Sequence, residues 1–290
     1  MNDVSASPPS TDAAYVLAGI ASRSAAQMRA ENFPVALRLL PRGPRNYLTR
    51  VYAFARFVDD VGDTAPGDRV GLLDMIDAQV RGLGVGRPAM APVAGLRPVL
   101  DDCGVPVAPF LALIEANRID QTVTRYETFD DLLGYCELSA APIGQIVLHI
   151  AGAARPDNIA DSDAACAALQ ILEHCQDVGE DARAGRIYLP HAELRAAGVA
   201  DDDLLAATTS PALRGVIAVQ VRRSRELLDR GCALIGRLSG WARIAVAGYL
   251  AGGLATVAAL RAAEYDVLGH DVVPGQRRTV VHAVRLAVGG

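Results

Sequence analysis

Hydrophobic residues recur at helical spacing through most of this chain, and no long stretch alternates between apolar and polar positions as a strand does. Gly- and Pro-containing breakers at residues 41–44, 155–158 and 273–275 separate the helical segments. The predicted helices span residues 12–30, 45–64, 68–84, 93–103, 107–121, 129–152, 161–181, 211–238, 240–268 and 276–287.

This pattern predicts an all-α protein with a single helical bundle around a central active-site cavity. We expect one domain over residues 12–290, preceded by a disordered Pro- and Ser-rich tail at residues 1–11. Thr128 and Asp131 have the spacing of a capping box, which would begin the helix from residue 129.

The predicted helix 45–64 carries the first candidate site. Tyr52, Arg56, Asp59 or Asp60, and Asp63 fall on one stripe of this helix, at steps of three or four residues. Asp59 and Asp63 are like charges four residues apart, and such pairs destabilise a bare helix. A positive group is therefore expected over them, either Arg56 or a bound cation.

A second aspartate pair, Asp177 and Asp181, repeats the spacing with Glu180 beside it. Two such pairs, each inside an apolar helical pattern, are less common by chance than one. Carboxylate oxygens suit Mg²⁺, which keeps several waters and is usually completed by substrate phosphates. If the pairs face each other, Asp59, Asp63, Asp177 and Asp181 form a Mg²⁺ site.

Composition and charge narrow the class of protein. A net charge of −5 over 290 residues gives no basic surface for nucleic acid. The five cysteines show no CxxC spacing and are expected to be buried thiols of a reducing compartment. The first ten residues lack the basic and apolar regions of a signal peptide, so a cytoplasmic location is expected.

One stretch resembles a membrane span. Residues 244–260 are uncharged, but they are rich in Ala and Gly and shorter than the ~20 residues that a span needs. We expect a buried central helix here and no transmembrane segment. Peripheral contact with the inner face of the membrane is the alternative that stays open.

The candidate site suggests a substrate with a phosphate group at one end and a hydrocarbon chain at the other. The sequence has no P-loop, so phosphate would be held by metal, Arg and Tyr. Helices rich in Ala, Val, Leu and Gly would line an apolar cavity beside the metal. A prenyl diphosphate combines these two parts. When its diphosphate departs, it leaves a carbocation, which needs an apolar, aromatic-lined pocket.

These motifs resemble those of the squalene/phytoene synthase family, over nearly the whole chain. The similarity covers NFPVA at 32–36, YAFAR at 52–56 followed by Asp59, Asp60 and Asp63, YC at 135–136, SAAPIG at 139–144, DVGED at 177–181 and GRIYLP at 185–190. The NFPVA, SAAPIG and QTVTRY (121–126) segments are most similar to the bacterial hydroxysqualene synthase branch.

The resemblance implies an isoprenoid-synthase fold and Mg²⁺-dependent loss of diphosphate from presqualene diphosphate, with capture of the cation by water. It implies no need for NADPH, and functional coupling to other enzymes of the squalene pathway. The implied catalytic residues are Tyr52, Arg56, Tyr135, Gln170 and Tyr188. The implied substrate-binding residues are Phe33, Arg56, Gly144, Glu173 and Arg186. Tyr135, Gln145, Gln170, Glu173 and His174 are the candidates for positioning the water.

Three residues depart from the family pattern. Glu173 stands where much of the family has Asn, Ala141 replaces the Asn of the usual SANPVG segment, and His270 stands where relatives often have Arg. These changes put one amide–metal contact and one phosphate contact in question, and with them the half-reaction that is catalysed.

Several other interpretations remain open at this stage. Within the family, the enzyme could instead condense two prenyl diphosphates to presqualene diphosphate, dehydrosqualene or phytoene. A non-catalytic helical partner subunit would keep the fold, whereas a di-iron protein would need Glu-x-x-His motifs, which the sequence lacks. Individual candidates also have structural alternatives: Arg56 as an ion-pair partner of Asp59 or Asp60, the tyrosines and His174 as core residues, and Arg186 and Glu180 as solvated charges.

Overall fold

The computed structural model describes residues 11–27, 40–84, 86, 88–270 and 272–273. The predicted helix 276–287, the NFPVA segment with Phe33 and nearly all of the predicted tail lie outside these residues. Within the described residues the secondary structure is helical and contains no strand, which confirms the all-α prediction. The chain divides into two compact units, Met1–Gln121 and Thr122–Gly290, so the single domain expected over 12–290 stays a prediction.

The first unit is arranged around one long helix. Its helices are α1 (Thr11–Gln27), α2 (Arg42–Thr64), α3 (Arg69–Arg81), α4 (Ala91–Ala94), α5 (Arg97–Cys103) and α6 (Ala108–Ile119), with a 3₁₀ turn at Gly82–Gly84. Helix α2 contacts all five others. Its apolar side packs through Phe54, which meets the ring of Phe110 on α6 edge to face at 5.5 Å. The first aspartate pair therefore lies on the central helix of its unit.

The second unit is arranged in the same way. Its helices are α7 (Phe129–Ser139), α8 (Ala141–Ile150), α9 (Pro156–Gln176), α10 (Val178–Arg183), α11 (His191–Ala196), α12 (Pro211–Ile235) and α13 (Gly240–Ala262), with a 3₁₀ turn at Asp201–Leu205. Helix α9 contacts α7, α8, α10, α12 and α13, and it packs most extensively on α12. The second aspartate pair follows this central helix directly.

Two predicted helices are each divided in the structure. The predicted helix 129–152 ends at Ser139 and resumes at Ala141. Pro142 has no N–H to donate to Leu138, and its ring disfavours a continuous helix at that point. The predicted helix 161–181 is divided at Asp177, which caps α9 with φ −97° and ψ 14°.

The start of α9 also differs from the prediction. The sequence predicts a breaker at residues 155–158, yet Pro156 lies at the first position of the helix. Proline is favoured there, because the first N–H groups of a helix have no intrahelical partner. The capping box predicted at α7 is present: Thr128 Oγ1 accepts from the Asp131 amide at 3.1 Å, and Asp131 accepts from the Thr128 amide at 2.9 Å.

Helix α13 contains the apolar stretch 244–260 and is longer than that stretch. At 23 residues, it is the one helix among the described residues that is long and apolar enough to cross a membrane by length and composition. The stretch lies within the predicted helix 240–268, which ends at Ala262 in the structure. Half of its most apolar window is buried, and a core helix passes the same test. It packs against α9 and α12.

Candidate active site

The carboxylates of the first aspartate motif have different surroundings. Asp60 contacts Arg56 Nε at 3.1 Å and accepts a hydrogen bond from Ser24 Oγ at 2.5 Å. Asp59 Oδ1 accepts a hydrogen bond from the Asn117 side-chain amide at 3.0 Å, and Asp63 is exposed. Arg56 thus forms the ion pair that the sequence allowed as an alternative to substrate binding, and its partner is Asp60.

The packing of α6 on α2 holds Asn117 in place. Its amide also donates to the Leu113 carbonyl at 3.1 Å. A Cβ on Gly62 would lie only 2.2 Å from Asn117 Oδ1, so glycine at this position lets α6 approach. The Gln121 amide donates to the carbonyl oxygens of Gly62 and Asn117. Sequence reasoning missed Asn117, since no motif points to it.

Asp59 is electrostatically unusual. Although its side chain is accessible to solvent, the surrounding protein displaces much of the water that would hydrate the carboxylate. This desolvation raises the pKa of Asp59 to about 6. The Asn117 hydrogen bond and Arg56 oppose the rise in pKa, whereas Asp63 and Asp60 add to it. A cation beside Asp59 would relieve both the desolvation and the repulsion.

The second aspartate pair lies at the break between α9 and α10. The Asp181 amide donates to the Asp177 carbonyl at 2.8 Å, so the pair keeps its helical register across the break. Desolvation raises the pKa of Asp177, and the charges of Asp181, Glu173 and Glu180 raise it further. Gly179 lies between them, where a Cβ would be 2.8 Å from the Leu268 side chain.

Helix polarity adds to the negative potential at the first pair. Asp63 lies in the last turn of α2, which contains no basic residue. The C-terminal end of a helix carries a partial negative charge, so a carboxylate is unfavourable there without a cation. At the second pair the two helix ends oppose each other, because Asp177 caps the end of α9 and also begins α10, whose first turn contains Asp181.

The donor set fits a metal that is completed by its substrate. The described residues contain no group of three or more His, Cys, Asp or Glu side chains arranged to hold a metal ion. One or two carboxylates are often the only protein ligands of Mg²⁺ where substrate phosphates supply further oxygens. The two aspartate pairs fit that pattern.

An aromatic cluster adjoins the second pair. Tyr126 lies 5.2 Å from Tyr135 and 5.9 Å from Tyr188, and Tyr135 lies 5.8 Å from Tyr188, all between ring centroids. His174 stacks on Tyr188 at 3.6 Å with an interplanar angle of 12°. The tyrosine rings are largely buried, which agrees with the interpretation of these tyrosines as core residues. Through His174 they also adjoin the second aspartate pair.

Extended backbone pairing places Tyr188 in this cluster. Gly185 ends the turn after α10 with φ +82°, a value that glycine adopts without strain. The Ile187 amide then donates to the Thr124 carbonyl at 2.8 Å, and Arg125 and Ile187 form an isolated parallel bridge. The GRIYLP and QTVTRY motifs of the sequence are therefore neighbours in the fold.

His174 connects this cluster to the second pair. Its Nδ1 is 3.6 Å from Asp181 Oδ2, and its Nε2 is 3.3 Å from the Gln170 side-chain nitrogen. His174, Asp181, Arg186 and Tyr188 line one small pocket together with Val178, Ile187, Leu189 and Leu204. Arg186 is thus beside the acidic residues and not an isolated surface charge.

The other candidate site residues from the sequence lie in helix contacts, in a side-chain hydrogen bond or at the surface. Gly144 allows α8 to pack on α9, because a Cβ there would lie 2.3 Å from Ser162 Oγ. The Gln145 amide donates to Asp163 at 3.1 Å, and Glu173 is exposed. Tyr52 is partly buried on α2. Their roles toward substrate stay predictions, as does that of Phe33, which lies outside the described residues.

The cysteines are reduced and poorly reactive. Burial raises the pKa of Cys136 and Cys175 to about 12 and that of Cys166 to about 11, so their thiols stay protonated at neutral pH. Cys103, Cys166 and Cys232 keep some solvent-accessible surface, although the surrounding protein desolvates the Cys166 thiol, so the expectation that all five are fully buried is corrected.

The fold is that of the squalene-synthase type of isoprenoid synthases. Squalene synthase HpnC from Alicyclobacillus acidocaldarius superposes with a TM-score of 0.79 and 36% identity, covering 87% of this chain and 98% of that one. A dehydrosqualene synthase has a TM-score of 0.78 at 23% identity, covering 95% of this chain and 96% of that one, and supports the fold alone.

Sequence comparison gives the family. The squalene/phytoene synthase model matches residues 27–285. Hydroxysqualene synthases of Sinorhizobium fredii (35% identity) and Rhodopseudomonas palustris (36%) each match 76% of this chain and 75% of their own length. The chain belongs to the squalene/phytoene synthase family and is an enzyme of that family. The predicted family, fold and enzyme class are confirmed.

Proposed function

We propose that this enzyme converts presqualene diphosphate and water to hydroxysqualene and diphosphate, within squalene and hopanoid biosynthesis. The observation that carries the proposal is the aromatic cluster of Tyr126, Tyr135 and Tyr188 beside the carboxylates of the second aspartate pair. Negative groups suit a metal–diphosphate, and aromatic faces stabilise a cation. The names of the relatives support the same reaction.

The proposed reaction balances without a redox partner. The carbon–oxygen bond to diphosphate breaks, and its electron pair leaves with the diphosphate. A water oxygen then bonds to the carbocation, and the water releases a proton. Because no hydride is consumed, NADPH is not required.

We infer that Asp59, Asp63, Asp177 and Asp181 bind Mg²⁺ together with the diphosphate. When bound, the metal neutralises charge on the diphosphate and makes it a better leaving group. The raised pKa values of Asp59 and Asp177 support this inference, because desolvation and neighbouring carboxylates outweigh the positive charge that the protein supplies there. Glu173, exposed and close enough to raise the pKa of Asp177, would add one more negative group.

The remaining candidates have roles that follow from their chemistry. Arg56 and Arg186 would bind the diphosphate, Phe33 and Gly144 would contact the prenyl chains, and Tyr52, Tyr135 and Tyr188 would shelter the cation. Gln170 would orient the attacking water through its amide. Gln145 is a weaker candidate for that task, because Asp163 already accepts its amide hydrogens.

An incubation in ¹⁸O-water tests the reaction. Purified enzyme with Mg²⁺ and presqualene diphosphate should give a thirty-carbon alcohol that carries the label, at a rate that NADPH does not change. A parallel incubation with farnesyl diphosphate tests the alternative of head-to-head condensation. A hydrocarbon whose formation depends on NADPH, or a forty-carbon product, would contradict the proposal.

We further propose a cytoplasmic enzyme that contacts the membrane peripherally, coupled to other enzymes of the squalene pathway. Its product is a lipid, and helix α13 has exposed apolar side chains at Ile244 and Tyr249 that could contact a bilayer. The burial of half of the apolar window of α13 supports a helix packed within the protein. Recovery only in a carbonate-resistant membrane fraction would contradict this location.

A further inference from the structure

We propose that His174 is a positioning residue that holds the carboxylate of Asp181 in the orientation that binds metal. This inference rests on the proposed function and gives His174, which the sequence suggested only as a candidate for positioning the water, a role toward the metal site. His174 is buried in the last turn of α9, only 7% exposed, and is the one basic residue of that turn.

The ring of His174 is fixed by contacts on its face and at one edge. One face stacks on Tyr188 at 3.6 Å, and Tyr188 is in turn held against Tyr126 and Tyr135. At one edge, the Gln170 amide lies 3.3 Å from Nε2. A ring held in this way has little rotational freedom, so its second nitrogen keeps one direction.

That second nitrogen faces Asp181. When Nε2 accepts a hydrogen from the Gln170 amide, the ring proton of the neutral imidazole lies on Nδ1. Nδ1 is 3.6 Å from Asp181 Oδ2, beyond a normal hydrogen bond but close enough for a directed N–H to attract the carboxylate. Groups that orient a ligating side chain in this way commonly change metal affinity ~10- to 100-fold when removed.

Both ring nitrogens of His174 have polar neighbours, Gln170 at Nε2 and Asp181 at Nδ1. A histidine that served only to fill the core would need neither of them. Arg186 lines the same small pocket as His174 and Asp181, so positive and negative groups for a diphosphate lie beside the ring.

Two substitutions separate positioning from packing. His174→Phe keeps a flat ring on Tyr188 and removes both nitrogens. His174→Asn restores an N–H donor near the position of Nδ1 and gives up the stack. His149→Phe, at a partly buried histidine near the end of α8, is the matched control for loss of a histidine from this unit.

Calorimetric binding of Mg²⁺ with inorganic diphosphate is the main measurement, with melting temperature measured alongside. We expect His174→Phe to weaken binding by ~10- to 100-fold with little change in melting temperature. His174→Asn should recover part of that affinity despite a lower melting temperature, and His149→Phe should bind as the unaltered enzyme does.

Two results would overturn the inference: unchanged binding in His174→Phe, or losses in both variants that follow only their melting temperatures. If the unaltered enzyme itself binds no Mg²⁺ with diphosphate, the proposed function fails and this inference fails with it. Binding by the unaltered enzyme therefore tests the proposed function, and the comparison between variants tests the positioning role of His174.

Discussion

At the residue scale, the structure gives two adjacent carboxylates different surroundings. Asp59 and Asp60 are adjacent, so helical spacing alone places either of them on the stripe with Tyr52 and Arg56. Asp60 already has Arg56 and Ser24 as partners. Asp59 has a neutral partner, Asn117, and a raised pKa. Asp59 is therefore the residue of the two that gains most from a bound cation.

Replacing Asp59 or Asp177 by Asn should abolish most activity without unfolding the protein. Metal assistance is worth several kcal/mol, so a rate loss of ~100-fold or more is expected. The melting temperature should be equal or higher, because a neutral side chain removes a desolvated charge. In Asp59→Asn, the new side-chain carbonyl oxygen would still accept the hydrogen bond from Asn117.

Product analysis and thermal unfolding of the two variants check this prediction. Asp101→Asn, at an exposed aspartate on α5, serves as the matched control and should leave both measurements unchanged. Normal turnover in both site variants would mean that the catalytic metal is bound elsewhere.

At the element scale, the close approach of α6 to α2 depends on Gly62. Gly62→Ala would place a methyl group 2.2 Å from Asn117 Oδ1 and force Asn117 off its bonds to Asp59 and Leu113. A displaced buried amide costs ~1–3 kcal/mol, of which the better helix propensity of alanine recovers ~1 kcal/mol. We expect a net loss of up to about 2 kcal/mol in the free energy of unfolding.

Gly43→Ala is the control on the same helix, where an added Cβ meets nothing within 4 Å. It should be neutral or stabilise by up to ~1 kcal/mol. Urea unfolding of both variants measures the difference. In an Asn117→Ala background only the 3.3 Å contact with the Cβ of residue 117 remains, so Gly62→Ala should cost much less than it does in the native background. Equal stability of the two glycine variants in the native background would show that Asn117 adjusts without cost.

Helical periodicity predicted the elements better than the interruptions between them. The capping box at Thr128 has a local hydrogen-bonding signature and could be predicted correctly. Asp177 looks like any helical position in a periodic pattern, and only the packed structure shows that it caps α9. Pro156 was misinterpreted because the same residue type ends some helices and begins others.

The candidate site was also predictable only where a local sequence pattern marks its residues. Motifs with charged residues at fixed spacing identified the aspartate pairs, and the family resemblance added Tyr135 and Tyr188. Asn117 and the position of His174 against Asp181 depend on contacts between elements far apart in the chain or across a helix break. Such contacts leave no local pattern from which a single sequence could predict them.

At the scale of the whole molecule, each unit carries one aspartate pair, on the central helix α2 in the first unit and directly after the central helix α9 in the second. Under the proposal that Mg²⁺ and diphosphate bind the carboxylates of both pairs, this ligand should stabilise the folded chain by mass action, since the unfolded chain holds no such site. Thermal unfolding with Mg²⁺ and a non-hydrolysable diphosphate analogue measures the stabilisation. An unchanged melting temperature would contradict the proposed metal site.

The stabilisation should depend on pH in a defined direction. The pKa of Asp59 in the folded protein is about 6, above its unfolded value near 3.8, so the folded state holds this proton more tightly. The contribution of Asp59 to stability is present below pH ~4 and is lost as the pH rises through about 6. Mg²⁺ needs the ionised carboxylate and replaces the proton, so the increase in melting temperature should be larger at about pH 7.5 than at about pH 5. Asp59→Asn should remove most of this difference, and an increase that is the same at both pH values would show that Asp59 does not bind the metal.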